Sequence, residues 1–229
     1  MSQKVLFLYG TETNTAERAA NHLVKQLKFS LKDVTIEGPL AGNKMTDFEE
    51  IKKYDAVLIA TSSYGDGDAP SCYDKFFEQL HREVKNATSS GSKPLSGLQH
   101  AVLGFGSTSY ETFMNCPRIT DKLFGELGSR RMQQRIEIDE IGEETEEELI
   151  DKFEVGISKC LNSLKQNKGK KEACTWDKPD GEILDKFYII EEGGGEKKGG
   201  PGMVGVLAIL AVFAGIYFMK MKKEAEGEE

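Results

Sequence analysis

The residues from Val5 to Glu17 constrain the fold more than any other part of this chain. They read VLFLYGTETNTAE, which is an apolar run, then a turn rich in hydroxyl side chains, then the start of a helix. The run predicts a buried strand that enters a helix directly. The first backbone N–H groups of a helix have no partners within it, and the helix dipole favours negative charge there. The turn therefore suits a phosphate group, and an ordinary capped helix is the alternative.

The turn matches neither of two common phosphate motifs. It lacks the Gly-Lys-Ser/Thr ending of a P-loop and the G-x-G-x-x-G pattern of dinucleotide enzymes. Because the turn contains no lysine or arginine, we expect it to hold a phosphate by hydrogen bonds alone.

Two further loops follow apolar runs in the same way. TSSYGDGDAP begins at Thr61, and GFGSTSYETF begins at Gly104. Each contains glycine and one tyrosine, Tyr64 or Tyr110, and each precedes a helical segment. In an open parallel sheet such loops meet at the carboxyl ends of the strands, where ligands bind. Together the three loops favour a flavin, whereas either tyrosine alone is typical of a surface residue resting on its neighbours.

Strand and helix patterns alternate along the first 165 residues. Strands are predicted near residues 4–9, 33–37, 55–60, 100–104 and 135–138. Helices are predicted near residues 15–29, 71–84, 115–128 and 144–165. The alternation predicts an α/β fold, an open parallel sheet with helices on both faces. The polar residues 86–97 predict a loop.

The loops resemble those of the flavodoxin family, in particular the FMN domain of diflavin reductases. TETNTAE is similar to the family's S/T-x-T-G-T-A-E phosphate loop, and TSSYGDGDAP to T-x-Y-G-E-G-D/E-P. GFGSTSYETF is similar to G-L-G-x-x-x-Y-x-x-F, and LGSRR to L-G-A/G-x-R. Asn14 stands where the family usually has glycine. Since asparagine tolerates a left-handed backbone, we expect the loop to form.

The resemblance implies a flavodoxin-like domain with FMN as its cofactor and no catalytic or metal-binding residue. Six residues would bind the phosphate: Thr11, Glu12, Thr13, Asn14, Thr15 and Ala16. Ten would surround the ring: Ser63, Tyr64, Gly65, Gly67, Gly104, Phe105, Gly106, Ser107, Tyr110 and Phe113. Among these, the tyrosines would stack on the ring, Phe113 would pack below it, and Gly65 would turn its carbonyl toward the redox-active nitrogen.

The C-terminal part of the sequence has a second strong feature. Residues 203–219, MVGVLAILAVFAGIYFM, are uncharged and almost wholly apolar. As a helix they would span roughly 25 Å, slightly less than a bilayer core of about 30 Å. They predict a single membrane span with the folded domain in the cytosol, at the endoplasmic reticulum rather than the mitochondrial outer membrane. A buried core helix is the alternative.

The expected organisation has four parts. They are an FMN-binding domain (1–167), a flexible linker (168–202), a transmembrane helix (203–219) and a short polar tail (220–229). The net charge of −8 argues against nucleic-acid partners. Its local clusters suit either a solvated, acid-rich helix start or a docking face for basic proteins. The four cysteines have no metal-ligand spacing, which indicates reduced thiols.

These observations predict a membrane-tethered FMN-dependent electron carrier of the oxidoreductase type. Its donor would be a separate reductase containing FAD and NADPH, and its acceptor a haem protein or another membrane redox protein. Two alternatives remain: a stand-alone NAD(P)H:quinone-type flavin reductase, and a non-redox membrane scaffold with a flavodoxin-like domain.

Overall fold

A computed structural model describes residues 3–166. Strands and helices alternate as the sequence predicts. The strands are β1 (Gln3–Gly10), β2 (Val34–Ala41), β3 (Ala56–Ser62), β4 (Gln99–Gly106), β5 (Arg130–Arg131) and β6 (Ile136–Asp139). The helices are α1 (Thr15–Ser30), α2 (Asp74–Ser90), α3 (Asn115–Glu126) and α4 (Glu146–Gln166). Two 3-10 helices, Gly42–Lys44 and Phe48–Lys53, join β2 to β3.

The strands form one parallel sheet in the order β2-β1-β3-β4. Both β5 and β6 pair with the far side of β4, β5 at Gln99 and His100 and β6 at residues 103–106. The last strand of the sheet is therefore divided into two short pieces. The chain reverses its direction of travel across the sheet between β1 and β3, which opens a crevice at their carboxyl ends.

Two apolar cores cover the two faces of the sheet. Alternate side chains of β1 enter different cores, because successive residues of a strand point to opposite faces. Phe7 lies with side chains of α1 and α4, whereas Leu8 lies with side chains of α2 and α3. The predicted α/β fold, with a parallel sheet and helices on both faces, is confirmed.

A buried cluster of charges ties α3 to the divided edge of the sheet. The carboxylate of Asp121 accepts hydrogen bonds from His100 on β4, from Arg131 on β5 and from Arg135 just before β6. Burial alone would raise the pKa of Asp121. The hydrogen bond from His100 and the charges of His100 and the two arginines outweigh burial and lower the pKa to about 2.

The predicted loop at residues 86–97 is wrong in its first part. Helix α2 continues through Asn86 to Ser90 and ends where Gly91 adopts a φ of 66°. The N–H of Ser92 then donates to the carbonyl of Ala87, which closes the helix end. The serine hydroxyls that suggested a loop instead bond to helix carbonyls, for example Ser89 to Lys85.

Several predictions concern residues that the structure does not describe. The linker at 168–202, the transmembrane helix at 203–219 and the polar tail at 220–229 all lie outside the described residues. Within residues 3–166, no helix combines the length and the hydropathy that crossing a bilayer requires.

Candidate functional site

Three loops meet at the carboxyl edge of the sheet. We call residues 11–14 the phosphate loop, residues 63–70 the Tyr64 loop and residues 107–114 the Tyr110 loop. They follow β1, β3 and β4, which are adjacent in the sheet. The strand ends are also in register, since Gly10 pairs with Thr61 and Ser62 pairs with Phe105. The sheet therefore brings the three predicted loops together.

The phosphate loop presents unpaired backbone donors. Asn14, the N-cap residue of α1, has φ 64° and ψ 5° and makes no side-chain capping bond. Within residues 3–166, the N–H groups of Thr13, Asn14 and Thr15 have no hydrogen-bond acceptor. The left-handed residue followed by helical residues turns successive N–H groups toward one side, which makes a concave anion site. The expectation that Asn14 adopts the left-handed conformation is confirmed.

The first two residues of the phosphate loop are hydrogen-bonded to Ser71 and Cys72, which precede α2. The backbone N–H of Thr11 donates to Sγ of Cys72, and the thiol donates back to the Thr11 carbonyl, each over 3.3 Å. The carboxylate of Glu12 accepts hydrogen bonds from the backbone N–H and the hydroxyl of Ser71. Because that carboxylate is negatively charged and is held by Ser71, only the backbone of Glu12 is suited to an anion. The buried Ala16 likewise contributes only its backbone.

Arg18 is a cation near the phosphate loop that the sequence analysis did not select. Its Nη2 atom lies 3.5 Å from Oγ1 of Thr15, at the first turn of α1. Arg18 lies outside the turn in the sequence, and only the helical backbone of α1 brings its side chain back to the turn.

The Tyr64 loop is a tight turn with two glycines. Gly67 is closely surrounded by other atoms, whereas Gly65 is not. Tyr64 and Asp68 exchange backbone hydrogen bonds of 2.9 and 2.8 Å across the turn. Gly65 and Gly67 have φ values of 54° and 97°, which side-chain-bearing residues rarely adopt. A Cβ at Gly67 would clash with Thr112, whereas nothing lies within 4 Å of the corresponding position at Gly65. Within residues 3–166 the N–H and the carbonyl of Gly65 make no backbone hydrogen bond, so no such bond holds its peptide in one orientation.

The start of α3 holds the Tyr64 loop in place. Nδ2 of the buried Asn115 donates to the carbonyl of Gly67 over 2.9 Å, and the N–H of Cys116 donates to Oγ of Ser63 over 3.0 Å. Oδ1 of Asn115 is buried and has no partner in the described part of the chain. The sequence analysis missed Asn115, because no spacing rule connects it to a loop 48 residues earlier.

The Tyr110 loop is fixed by the strand beside it. The N–H of Tyr110 donates to the carbonyl of Ser107, and Thr108 donates to the carboxylate of Asp139 through its N–H and its hydroxyl. Desolvation raises the pKa of Asp139, but the hydrogen bonds from Thr108 and Ile141 together outweigh it and lower the pKa. A charged Asp139 therefore anchors this loop at neutral pH.

Both tyrosines present their rings to solvent. Tyr64 is 59% exposed and Tyr110 is 64% exposed, on neighbouring loops. Aromatic rings of this size are usually buried to a greater degree, so two exposed tyrosines at one edge offer faces for stacking on a flat ligand. Phe113, on the Tyr110 loop, is partly buried, and the guanidinium of Arg118 lies 5.3 Å from the centre of its ring. Arg118 in turn forms a two-fold ion pair with Glu137.

Two residues of the third predicted motif contribute no exposed side chain to this edge. The side chain of Phe105 is 5% exposed and packs in the core on the α1 and α4 side of the sheet, so only its backbone can face the loops. Gly104 is also buried, and a Cβ there would meet Met114 and Pro117. Gly104 therefore allows close packing beneath the site. Gly106 at the end of β4 and Ser107 just after it remain next to the loops.

Negative charge surrounds this edge of the sheet. Exposed carboxylates lie on the Tyr64 loop, on the Tyr110 loop and on the connection from β6 to α4. They are Asp66, Asp68, Glu111, Glu140, Glu143 and Glu144. The edge thus combines an anion cradle, two exposed aromatic rings and an acidic border.

Known proteins are similar to this region in sequence. The flavodoxin family model matches residues 7–153. The sulfite reductase [NADPH] flavoprotein alpha-component of Bacillus subtilis is 31% identical over 164 residues, which are 71% of this chain and 24% of that protein. NADPH oxidoreductase A of Dictyostelium discoideum is 34% identical over 141 residues, which are 59% of this chain and 20% of that protein.

A solved structure shows the same architecture. Oxidised flavodoxin 2 from Bacillus cereus has a TM-score of 0.55 at 24% identity and covers 68% of this chain and 98% of that one. The likeness to the two reductases is limited to less than a quarter of their length, whereas the likeness to the flavodoxin extends over nearly all of it.

Proposed function

This chain belongs to the flavodoxin family, and we propose that it is a membrane-tethered, FMN-dependent electron carrier. It would accept electrons from a separate reductase that contains FAD and NADPH, and deliver them to a haem protein or another redox acceptor. FMN is the cofactor of this family and of the related reductase domains. The observation that carries the proposal is the cradle of unpaired N–H groups at residues 13–15 beside two exposed tyrosines.

The phosphate loop fits the phosphate end of FMN. The N–H groups of Thr13, Asn14 and Thr15 have no acceptor in the described part of the chain, and an unpaired donor costs free energy if it is removed from water. A phosphate supplies several acceptor oxygens at once and is stabilised by the dipole at the start of α1. The hydroxyls of Thr13 and Thr15, 3.4 Å apart, are further donors at this point.

The other two loops fit the ring. Tyr64 and Tyr110 would stack against its faces and exclude water from them. Because no backbone hydrogen bond holds Gly65 in the described part of the chain, its peptide could turn to offer either its N–H or its C=O. Asn115 keeps Gly67 fixed while Gly65 moves, because it holds the Gly67 carbonyl. The chain thus places a movable backbone group next to a rigid one.

Electron transfer through the site depends on the cofactor and on the charges that surround it. FMN supplies one-electron and two-electron chemistry, which allows a protein to connect a hydride donor to a one-electron acceptor. The carboxylates of Asp66, Asp68 and Glu111 disfavour additional negative charge at this edge, which lowers the reduction potential of a bound flavin. They also attract basic partner proteins, and the attraction weakens as salt increases.

The tether rests on the sequence of residues 203–219. Their uninterrupted apolar composition supports insertion in a bilayer, and lysines at 220, 222 and 223 suit the adjoining interface. As a random coil, residues 168–202 would have an end-to-end distance of roughly 30–35 Å. A tethered domain with that reach would meet its donor and its acceptor on the same membrane.

The carrier function is tested by reducing the full-length protein in detergent. The protein is loaded with FMN and mixed with NADPH, alone or with a catalytic amount of an FAD- and NADPH-containing reductase. A carrier predicts that flavin absorbance bleaches only when the reductase is present. Fast bleaching by NADPH alone would replace this proposal with a quinone-type reductase. A protein that takes up no FMN would indicate the non-redox scaffold.

Membrane attachment is tested separately by alkaline extraction of cell membranes. The full-length protein should remain in the membrane pellet. A variant with Leu207→Arg and Leu210→Arg should be released, because each arginine near the middle of a span costs about 2.5–3.5 kcal/mol. Release of the unchanged protein would contradict the tether and leave the flavin site unaffected.

A further inference from the structure

We propose that Arg18 supplies positive charge to the phosphate loop and strengthens the preference of this site for flavins that carry a phosphate. The inference rests on the proposed function, since it concerns the same flavin site. Arg18 is the only cation among residues 11–18, and its Nη2 atom lies 3.5 Å from Oγ1 of Thr15. Thr15 is the first residue of α1, so the guanidinium lies next to the cradle of unpaired N–H groups.

Helix geometry explains why Arg18 reaches the loop. Side chains of an α-helix lean toward its N-terminus, so a long side chain in the fourth position covers the first turn. Arg18 holds this position in α1. Its side chain is exposed, and its Nη2 atom donates a long hydrogen bond of 3.5 Å to Oγ1 of Thr15. A phosphate in the cradle would therefore lie within reach of the guanidinium.

The position of Arg18 is unfavourable unless an anion is present. The N-terminal end of a helix carries partial positive charge, which repels a cation in the first turn. A phosphate reverses this effect, since it is attracted by the helix dipole and by the guanidinium together. Arg18 is therefore expected to stabilise a bound phosphate but to add no stability to the flavin-free protein.

Two carboxylates of the same segment, those of Glu12 and Glu17, carry negative charge near the cradle. Glu12 is held by Ser71, and Glu17 accepts a hydrogen bond of 3.1 Å from the hydroxyl of Tyr9. Both carboxylates disfavour a phosphate dianion through charge repulsion. Arg18 offsets part of that repulsion. Because riboflavin has no phosphate, it would gain nothing from Arg18, and the arginine would add to the preference for FMN that the unpaired N–H groups already give.

The test compares the affinities of full-length variants for FMN and for riboflavin. The variants are Arg18→Gln, Arg18→Lys and the control Lys25→Gln, which removes the same charge from an exposed position further along α1. Arg18→Gln should weaken FMN binding about 3- to 10-fold at low salt and change riboflavin binding less than about 2-fold. Arg18→Lys should restore part of the loss. Lys25→Gln should leave both affinities unchanged.

Salt and stability measurements complete the test. The loss caused by Arg18→Gln should shrink near 1 M salt, where the screening length falls to about 3 Å. The flavin-free Arg18→Gln protein should be at least as stable as the unchanged protein in a thermal melt. Equal weakening of both flavins, unchanged FMN binding or a less stable flavin-free variant would overturn the role of Arg18. An unchanged protein that binds neither flavin would overturn the proposed function as well.

Discussion

The left-handed backbone conformation of Asn14 leads to a specific prediction about the stability of the protein. Substituting Asn14 by alanine removes no capping bond, because the side chain makes none. The backbone would still need a φ near 64° to keep the phosphate loop in shape. Asn21→Ala is the matched control, because it makes the same chemical change at an exposed position of α1, where the backbone is helical.

The expected size of the effect follows from the two backbone conformations. The left-handed region costs an alanine about 1–2 kcal/mol and an asparagine less, so Asn14→Ala should destabilise the protein by about 1 kcal/mol. Alanine is favoured over asparagine inside a helix by up to about 0.7 kcal/mol. This gain in helix propensity offsets the loss of the exposed 3.0 Å hydrogen bond that Nδ2 of Asn21 donates to the Glu17 carbonyl. Asn21→Ala should therefore leave stability unchanged or raise it slightly.

The assay is thermal unfolding of the flavin-free, full-length proteins, followed by circular dichroism. Asn14→Ala should lower the Tm by about 2–4 °C relative to Asn21→Ala. Asn14→Gly should have a Tm close to that of the unchanged protein, because glycine adopts this conformation without strain but loses more freedom on folding. Equal Tm values for the two alanine variants, or an Asn14→Gly variant below Asn14→Ala, would refute the reasoning.

Three further predictions concern the ring site, the support of the Tyr64 loop and the buried charge cluster. Tyr110→Ala should weaken FMN and riboflavin alike, by about 0.5–1.5 kcal/mol from lost stacking, in a fluorescence titration; unchanged affinities would exclude Tyr110 from the site. Asn115→Ala removes the donor to the Gly67 carbonyl and should cost about 1–3 kcal/mol in urea unfolding; a neutral result would mean that this bond does not fix the loop. Because the pKa of Asp121 falls from 3.8 to about 2 on folding, its contribution of about 2 kcal/mol is complete above pH 4 and is lost as the pH falls toward 2. In Asp121→Asn, the free energy of unfolding should depend less on pH between pH 4 and pH 2. An unchanged dependence would mean that Asp121 does not have this lowered pKa.

The sequence predicted the sheet and the position of the site because these depend on local patterns. The apolar runs of β1, β3 and β4 are continuous, which is typical of strands buried on both faces. Each run ends at a loop that contains glycine or hydroxyl side chains, and parallel pairing then brings the loops together. The left-handed conformation of Asn14 was also predictable, since few other residues tolerate it.

The remaining features depend on contacts between distant parts of the chain. Asn115 supports a loop that precedes it by 48 residues, and Glu12 is bound by Ser71, 59 residues away. The side chain of Phe105 enters the core because of its place in the register of β4, which a loop motif does not reveal. The residues of α2 after Asn86 were assigned to a loop from their composition, although Gly91 ends the helix.

The most direct measurement is a titration of FMN into the full-length protein in detergent, followed by flavin fluorescence and visible circular dichroism. A site formed by the phosphate loop and two tyrosines predicts one FMN per chain, with quenched fluorescence and an induced dichroism signal. Simultaneous substitution of Tyr64 and Tyr110 by alanine should abolish the quenching. An unchanged protein that leaves FMN fluorescence and dichroism as they are in free solution would contradict the flavin site itself.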